Sequence, residues 1–214
     1  MKRNLFIALE GIDGSGKSTQ AKLLAKKLES AGHKVYVTFE PTDGIIGSMI
    51  RNILKGSAKA DNRTIAALFL ADRLDHLLNE TNGLVKKFAE GYTVITDRYY
   101  FSSYAYHGTH MDMDWVIESN KMCAHILRPD INIFIDLPPE TCMQRINANR
   151  QQTELYETLD NLKKVQEKYF EGFEKLKHEE NIIIVDGNHS IDAISSDILE
   201  KVQGYSSTPY REIN

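Results

Sequence analysis

The chain has 214 residues and a formal net charge of −4, from 26 Lys and Arg against 30 Asp and Glu. That balance argues against a protein that coats nucleic acid, and a hydrophobic content of 42% is too high for an intrinsically disordered chain. The length suits one compact domain, expected over residues 1–205 with a loose polar tail at 206–214.

Leu5–Leu9 opens a series of five short, nearly unbroken apolar runs, the pattern of strands covered on both faces. A glycine-rich turn follows. Ser18–Ala31 then reads as a helix with Ala21, Leu24, Ala25 and Leu28 on one face and Gly32 as its stop. Val35–Phe39 is the second strand, with a short helical stretch carrying Arg51 beyond it. Thr64–Phe88 is predicted as one long helix with a strong apolar face, and Thr93–Thr96 as the third strand. The helix predicted at Met113–Leu127 ends at Arg128-Pro129-Asp130, before the fourth strand, Ile131–Ile135. Leu159–Lys177 carries Leu162, Val165, Tyr169, Phe173 and Leu176 in helical register; the strand Ile182–Val185 and the helix Ile191–Val202 close the chain. Strands alternating with helices predict an α/β fold of three layers, a five-stranded parallel sheet flanked by helices.

In such sheets ligands bind beyond the carboxyl ends of the strands. The residues there are Glu10 and the glycine turn, Glu40-Pro41-Thr42, Asp97-Arg98-Tyr99, Asp136 and Asp186-Gly187. The turn itself, Gly11-Ile12-Asp13-Gly14-Ser15-Gly16-Lys17-Ser18, fits G-x-x-x-x-G-K-[ST] between a strand and a helix. Glycines let successive N–H groups point inward at phosphate oxygens, and the following helix adds its positive end. Lys17 can span the β- and γ-phosphates while the Ser18 hydroxyl holds Mg²⁺. ATP-binding residues are therefore expected from Gly11 through Thr19. The motif selects a nucleoside triphosphate but no reaction. A GTPase would add an N-K-x-D tetrad, which the sequence lacks.

Around this cradle, Asp97 stands where an acid can serve the metal, and Arg98 offers a planar fork to phosphate. Ser102, Ser103 and Tyr106 can enclose a nucleotide base. Phe69 and Arg73, four apart, share a helical face and can stack on a base and donate to its carbonyl; they read equally as a core ring and an arginine paired with Asp72. Glu40 and Arg51 can frame an acceptor, or serve as a loop cap and a solvated cation. The polar stretch 145–157, with Arg145 and Arg150, fits a short lid that excludes water. Cys123 and Cys142 are too few for a disulfide framework or a four-ligand zinc site and suit a reducing compartment. No apolar run approaches the roughly 18 residues of a membrane span, and Glu10 ends the first run too early for a signal peptide. A cytoplasmic location is expected.

The segments Phe6–Gln20, Glu40-Pro41-Thr42, Ala67–Leu77 (ALFLADRLDHL), Val94–Tyr106 (VITDRYYFSSYAY) and Ile131–Glu140 together resemble the thymidylate kinase family of P-loop nucleoside monophosphate kinases. The likeness runs from about residue 4 to 203 and implies a P-loop NTPase fold that transfers the γ-phosphate of ATP to dTMP with Mg²⁺ as cofactor. By this resemblance Gly11–Ser18 hold the phosphates, Ser18 and Asp97 serve the metal, and Asp13 faces the acceptor 3′-hydroxyl. Phe69 stacks on thymine, Arg73 donates to its carbonyl and Arg98 binds the acceptor phosphate. Ser102, Ser103 and Tyr106 line the base and sugar, Tyr106 lying against C2′, with Glu40 and Arg51 framing that side. The catalytic set is then Lys17, Asp97, Arg98 and Arg150. Gly14 occupies the position of a loop arginine found in some relatives, which assigns phosphoryl stabilisation to the lid, first to Arg150. His107 departs from the glutamine common in bacterial members. A homodimer joined through long helices including Thr64–Phe88 is also implied, with no nucleic-acid or membrane partner. Two other readings stand beside this one: a deoxynucleoside kinase using Glu40 as base, and a slowly hydrolysing regulatory ATPase. The paired guanidiniums of Arg51 and Arg98 argue against the first; the absence of switch signatures argues against the second.

Overall fold

The computed structural model describes residues 3–149 and 154–206. Five parallel strands form its centre: β1 (Phe6–Glu10), β2 (Val35–Phe39), β3 (Thr93–Asp97), β4 (Ile131–Asp136) and β5 (Ile182–Asp186), in the spatial order β2-β3-β1-β4-β5. The helices are α1 (Lys17–Ser30), α2 (Ile45–Leu54), α3 (Asn62–Leu78), α4 (Leu84–Ala89), α5 (Tyr100–Gly108), α6 (Met113–Ile126), α7 (Pro139–Asn149), α8 (Leu159–Leu176) and α9 (Ile191–Ser206). None of the described helices is long and apolar enough to cross a membrane.

Alternation along β1 divides the core. Phe6 and Ala8 face one layer with Phe134, Tyr169 and the aromatics of α5. Leu5, Ile7 and Leu9 face the other, packed with Leu24 of α1 and Ile198 of α9. Central strands are therefore apolar on both faces, whereas edge strands β2 and β5 are partly exposed. This is the three-layer architecture expected from the sequence.

The predicted helix at 64–88 is two helices. Asn79 leaves the helical region, and its Oδ1 accepts from the Thr81 and Asn82 N–H groups at 3.0 and 3.4 Å. A side chain bonding its own backbone competes with the helix and breaks it here. α5 was not predicted as an element because every one of its residues is buried. It shows no polar stripe from which helical period could be read. At 145–149 the chain continues α7 as helix, so the expected lid is part helix and part turn.

Candidate active site

The central strand delivers the phosphate loop, and its register on β3 sets Leu9 beside Asp97. Loop and acid thus meet at one strand end. The Ser18 hydroxyl, on the first turn of α1, donates to Asp97 Oδ2. Asp97 Oδ1 is buried with no partner among the described residues, and so is the Ser15 hydroxyl. Lys17 is buried and its Nζ donates to the Ile12 carbonyl at 2.9 Å. Burial, reinforced by the charge of Arg98, pushes the Lys17 ammonium down to about 8; Asp97, Asp13 and Glu10 oppose that fall.

Residues 13–19 line one cleft of about 860 Å³ together with Glu40, Arg51, Phe69, Arg73, Asp97, Arg98, Ser102, Ser103 and Tyr106. Every predicted site residue among those described is there except Gly11 and Ile12, which are buried. Arg150 lies outside the described residues. Gly14 is pinned from above, because a Cβ on it would meet the Cys142 carbonyl of α7 at 2.6 Å. A side chain at position 14 would force the loop and α7 apart. Arg145, from the same helix, lines the cleft with its Nη1 at 4.0 Å from a Cβ built on Gly16.

Arg98 occupies the floor. Its backbone is left-handed, φ 76°, a costly conformation for a residue with a Cβ and one that collects at functional sites. Nη2 contacts Asp13 Oδ1 at 2.6 Å and the Tyr106 hydroxyl at 3.1 Å; Nη1 donates to Ser102 Oγ at 2.9 Å. Tyr106 donates to Asp13 Oδ2 at 2.8 Å, closing a triangle. Burial alone would raise the Asp13 carboxyl, but Arg98 and then Lys17 outweigh it and hold it below the usual range.

Beneath Arg98 lies a residue that the sequence placed on the rim but gave no role. Glu10 is fully buried and accepts from Ser102 Oγ at 2.6 Å, Tyr169 OH at 2.9 Å and the Tyr99 N–H at 2.9 Å. Burial pushes its carboxyl up despite those bonds and the Arg98 charge. An acid ending a fully apolar strand was the available signal. Tyr169 matched the core register of α8, which hid its polar role.

The second guanidinium pocket is drier. Arg73 Nη2 lies 2.6 Å from Glu40 Oε2 and Nε lies 2.9 Å from the same oxygen. The remaining N–H groups meet Ser103 Oγ, Asn120 Oδ1 and the Tyr99 carbonyl. Burial would raise Glu40, yet the Arg73 charge and the His76 hydrogen bond bring it below its ordinary value. Arg51 is half-engaged by the turn it faces, donating to the Pro41 and Thr42 carbonyls and to Ser48 Oγ. Past residues 150–153, Tyr156 returns to the cleft with its ring 5.8 Å from that of Tyr106. The Leu155 N–H donates to the Leu54 carbonyl at 2.9 Å, tying this turn to α2.

The arrangement can bind a triphosphate at the loop and a second anion at Arg98 beside it. The family model described as thymidylate kinase matches residues 9–198. A relative from Methanocaldococcus jannaschii described as "Probable thymidylate kinase" is 37% identical over 201 residues, covering 93% of this chain and 96% of the relative. Relatives of the same description from Thermococcus gammatolerans and Pyrococcus horikoshii are 39% and 38% identical, with 93% and 94% of this chain and 96% and 97% of theirs covered. A match over nearly the whole length, coinciding with a loop, an acid and a paired arginine on one rim, leaves one conclusion about ancestry: the chain belongs to the thymidylate kinase family.

Proposed function

We propose that the chain transfers the γ-phosphoryl group of ATP to dTMP, giving dTDP and ADP, by in-line displacement in a closed site. Family membership supports the reaction. The observation that carries the acceptor's charge is Arg98, whose guanidinium is fixed at the cleft floor beside the loop. An acceptor already carrying a phosphate ester uses such a fork; a neutral 5′-hydroxyl does not.

In this reading residues 13–19 grip the ATP phosphates, with Gly11 and Ile12 shaping the loop. Lys17 neutralises the migrating group, Arg98 holds the acceptor phosphate, and Asp13 and Tyr106 hold Arg98. Phe69 stacks on the base, Ser102 and Ser103 line it, and Glu40 and Arg51 frame that side. The lid cation is Arg150, with Arg145 already over the loop. Phosphoryl transfer asks for this positioning and charge rather than a covalent nucleophile.

The residues suit Mg²⁺. Ser18 Oγ and the unpartnered Asp97 Oδ1 offer the hard oxygen donors of an ion that keeps several waters. When bound, the metal supplies charge neutralisation to the phosphates. A cytoplasmic homodimer belongs to the same proposal. It is supported by two free buried cysteines and by Leu78 of α3 with Trp115 and Met122 of α6, large apolar residues left exposed on adjoining helices.

Coupled ADP release measured across nucleoside monophosphates and thymidine tests the reaction. Turnover is expected with dTMP and not with thymidine. Faster turnover of thymidine, or ATP hydrolysis indifferent to every acceptor, would overturn it.

A further inference from the structure

Glu10 is the last residue of β1, Arg98 follows β3, and Tyr169 lies on α8. The two oxygens of Glu10 hold different parts of the surroundings of Arg98. Oε1 accepts the Tyr99 N–H at 2.9 Å and the Ser102 N–H at 3.4 Å. Tyr99 directly follows Arg98, so the left-handed backbone of that arginine is held on its C-terminal side. Oε2 accepts from the Ser102 hydroxyl at 2.6 Å and from the Tyr169 hydroxyl at 2.9 Å. Donors converging on both oxygens suit an ionised carboxylate, which only accepts. Burial raises this carboxyl; Ser102, the Arg98 charge, Tyr99 and Tyr169 oppose that rise.

A hydroxyl carries one hydrogen and two lone pairs. With both hydrogens turned to Glu10, Ser102 Oγ and Tyr169 OH present only lone pairs to Arg98, and Nη1 donates to them at 2.9 and 3.4 Å. The carboxylate thus sets the sense of both bonds. A neutral amide at position 10 would offer N–H groups where one oxygen stood and turn a hydroxyl hydrogen toward the guanidinium. Asp13 and Tyr106 hold the other nitrogen, Nη2. Glu10 and Tyr169 are both 0% exposed, and neither lines the cleft.

We propose that Glu10 and Tyr169 are positioning residues for the acceptor phosphate, acting through Ser102 and Arg98 without touching the substrate: they fix the orientation in which the guanidinium meets that anion. This rests on the assignment of Arg98 to the acceptor phosphate proposed above. The Ser102 hydroxyl is the relay, its hydrogen spent on Glu10 and a lone pair on Arg98.

Tyr169→Phe keeps the ring against Phe134, with centroids 4.8 Å apart, and removes only the hydroxyl. By calorimetry its Kd for dTMP is expected to rise about three- to tenfold, the scale of one buried hydrogen bond. The Kd for thymidine, which lacks the phosphate, and the KM for ATP stay at wild-type values. Glu10→Gln keeps the shape, reverses the sense of a bond and shows the same pattern more strongly. In an Arg98→Ala background Tyr169→Phe adds nothing to the loss of dTMP affinity, because its route to the phosphate is gone. Equal weakening of dTMP and thymidine would make Tyr169 a packing residue and overturn the proposal, as would no change in either, or additive losses in the double variant. If Arg98→Ala itself leaves the ratio of dTMP to thymidine affinity unchanged, the assignment of Arg98 falls and the proposal with it. Should Glu10→Gln not fold, Tyr169→Phe decides alone.

Discussion

Arg98 Nη2 and Asp13 Oδ1 stand 2.6 Å apart, joining the end of β3 to the phosphate loop. The guanidinium proposed to hold the acceptor phosphate is thereby tied to the phosphate loop. Asp13→Asn should raise the dTMP KM through loss of Arg98 positioning, with the KM for ATP less affected. The pair also sets a pH dependence. Arg98 and Lys17 overcome burial to depress the Asp13 carboxyl below its unfolded value of 3.8. A depressed carboxyl contributes stability that is complete above the unfolded value and is lost as pH falls from there through the folded one. Urea unfolding of wild type and Asp13→Asn should therefore show a gap at pH 6 that narrows below about pH 4. A gap that widens there contradicts the assignment.

Lys17 titrates at about 8 before nucleotide binds, lowered by burial and by Arg98. Above that pH the free enzyme loses the ammonium, so kcat/KM for ATP should fall about tenfold per pH unit, since this parameter reports the free enzyme. Bound phosphates favour the charged form, and kcat should hold to higher pH. Lys17→Ala should lower kcat roughly a hundredfold or more, the scale of a removed electrostatic donor. Parallel pH profiles of kcat and kcat/KM would contradict this reading.

Gly14 and Gly32 have nearly the same φ, 82° and 85°, in different surroundings. A Cβ at Gly14 strikes the Cys142 carbonyl at 2.6 Å, whereas one at Gly32 has nothing within 4 Å. Gly32→Ala should cost only the left-handed penalty of about 1–2 kcal/mol and leave the KM for ATP alone. Gly14→Ala should cost more in denaturant unfolding and also raise the KM for ATP, because loop and α7 must separate. Equal effects of the two substitutions would remove α7 as the loop's brace.

Glu40 and Arg73 form an ion pair whose side chains are 2% and 1% exposed. Glu40→Gln leaves the guanidinium charged, buried and unbalanced, and is expected to destabilise by about 3–5 kcal/mol. Chemical denaturation gives the number directly, and a loss below about 1 kcal/mol would mean that water reaches Arg73.

Asp97→Asn removes the carboxylate charge beside Ser18 while keeping its shape. The Mg²⁺ concentration for half-maximal activity should rise about tenfold or more, with the dTMP KM little changed, and chelation should abolish turnover of both proteins. An unaltered Mg²⁺ titration would free Asp97 from that role.

The sequence by itself determined the layers and the cradle. Apolar runs such as those of β1 and β4 can be covered only on both faces, and the Gly11–Ser18 spacing needs nothing beyond local geometry to curl around phosphate. The break at Asn79 escaped that reading, because the strong apolar face on either side masked the local chemistry of its side chain. Tertiary structure alone decided which side chains remain available to a ligand. Spacing placed Phe69 and Arg73 on one face but was silent on Glu40, Ser103 and Asn120 closing on Arg73 from three other elements. Nor did it indicate that Glu10 and Tyr169, remote in sequence, meet beneath Arg98. Hydrogen-bond capacity is spent among neighbours in space, and those neighbours are assigned by the order in which strands pair across the sheet.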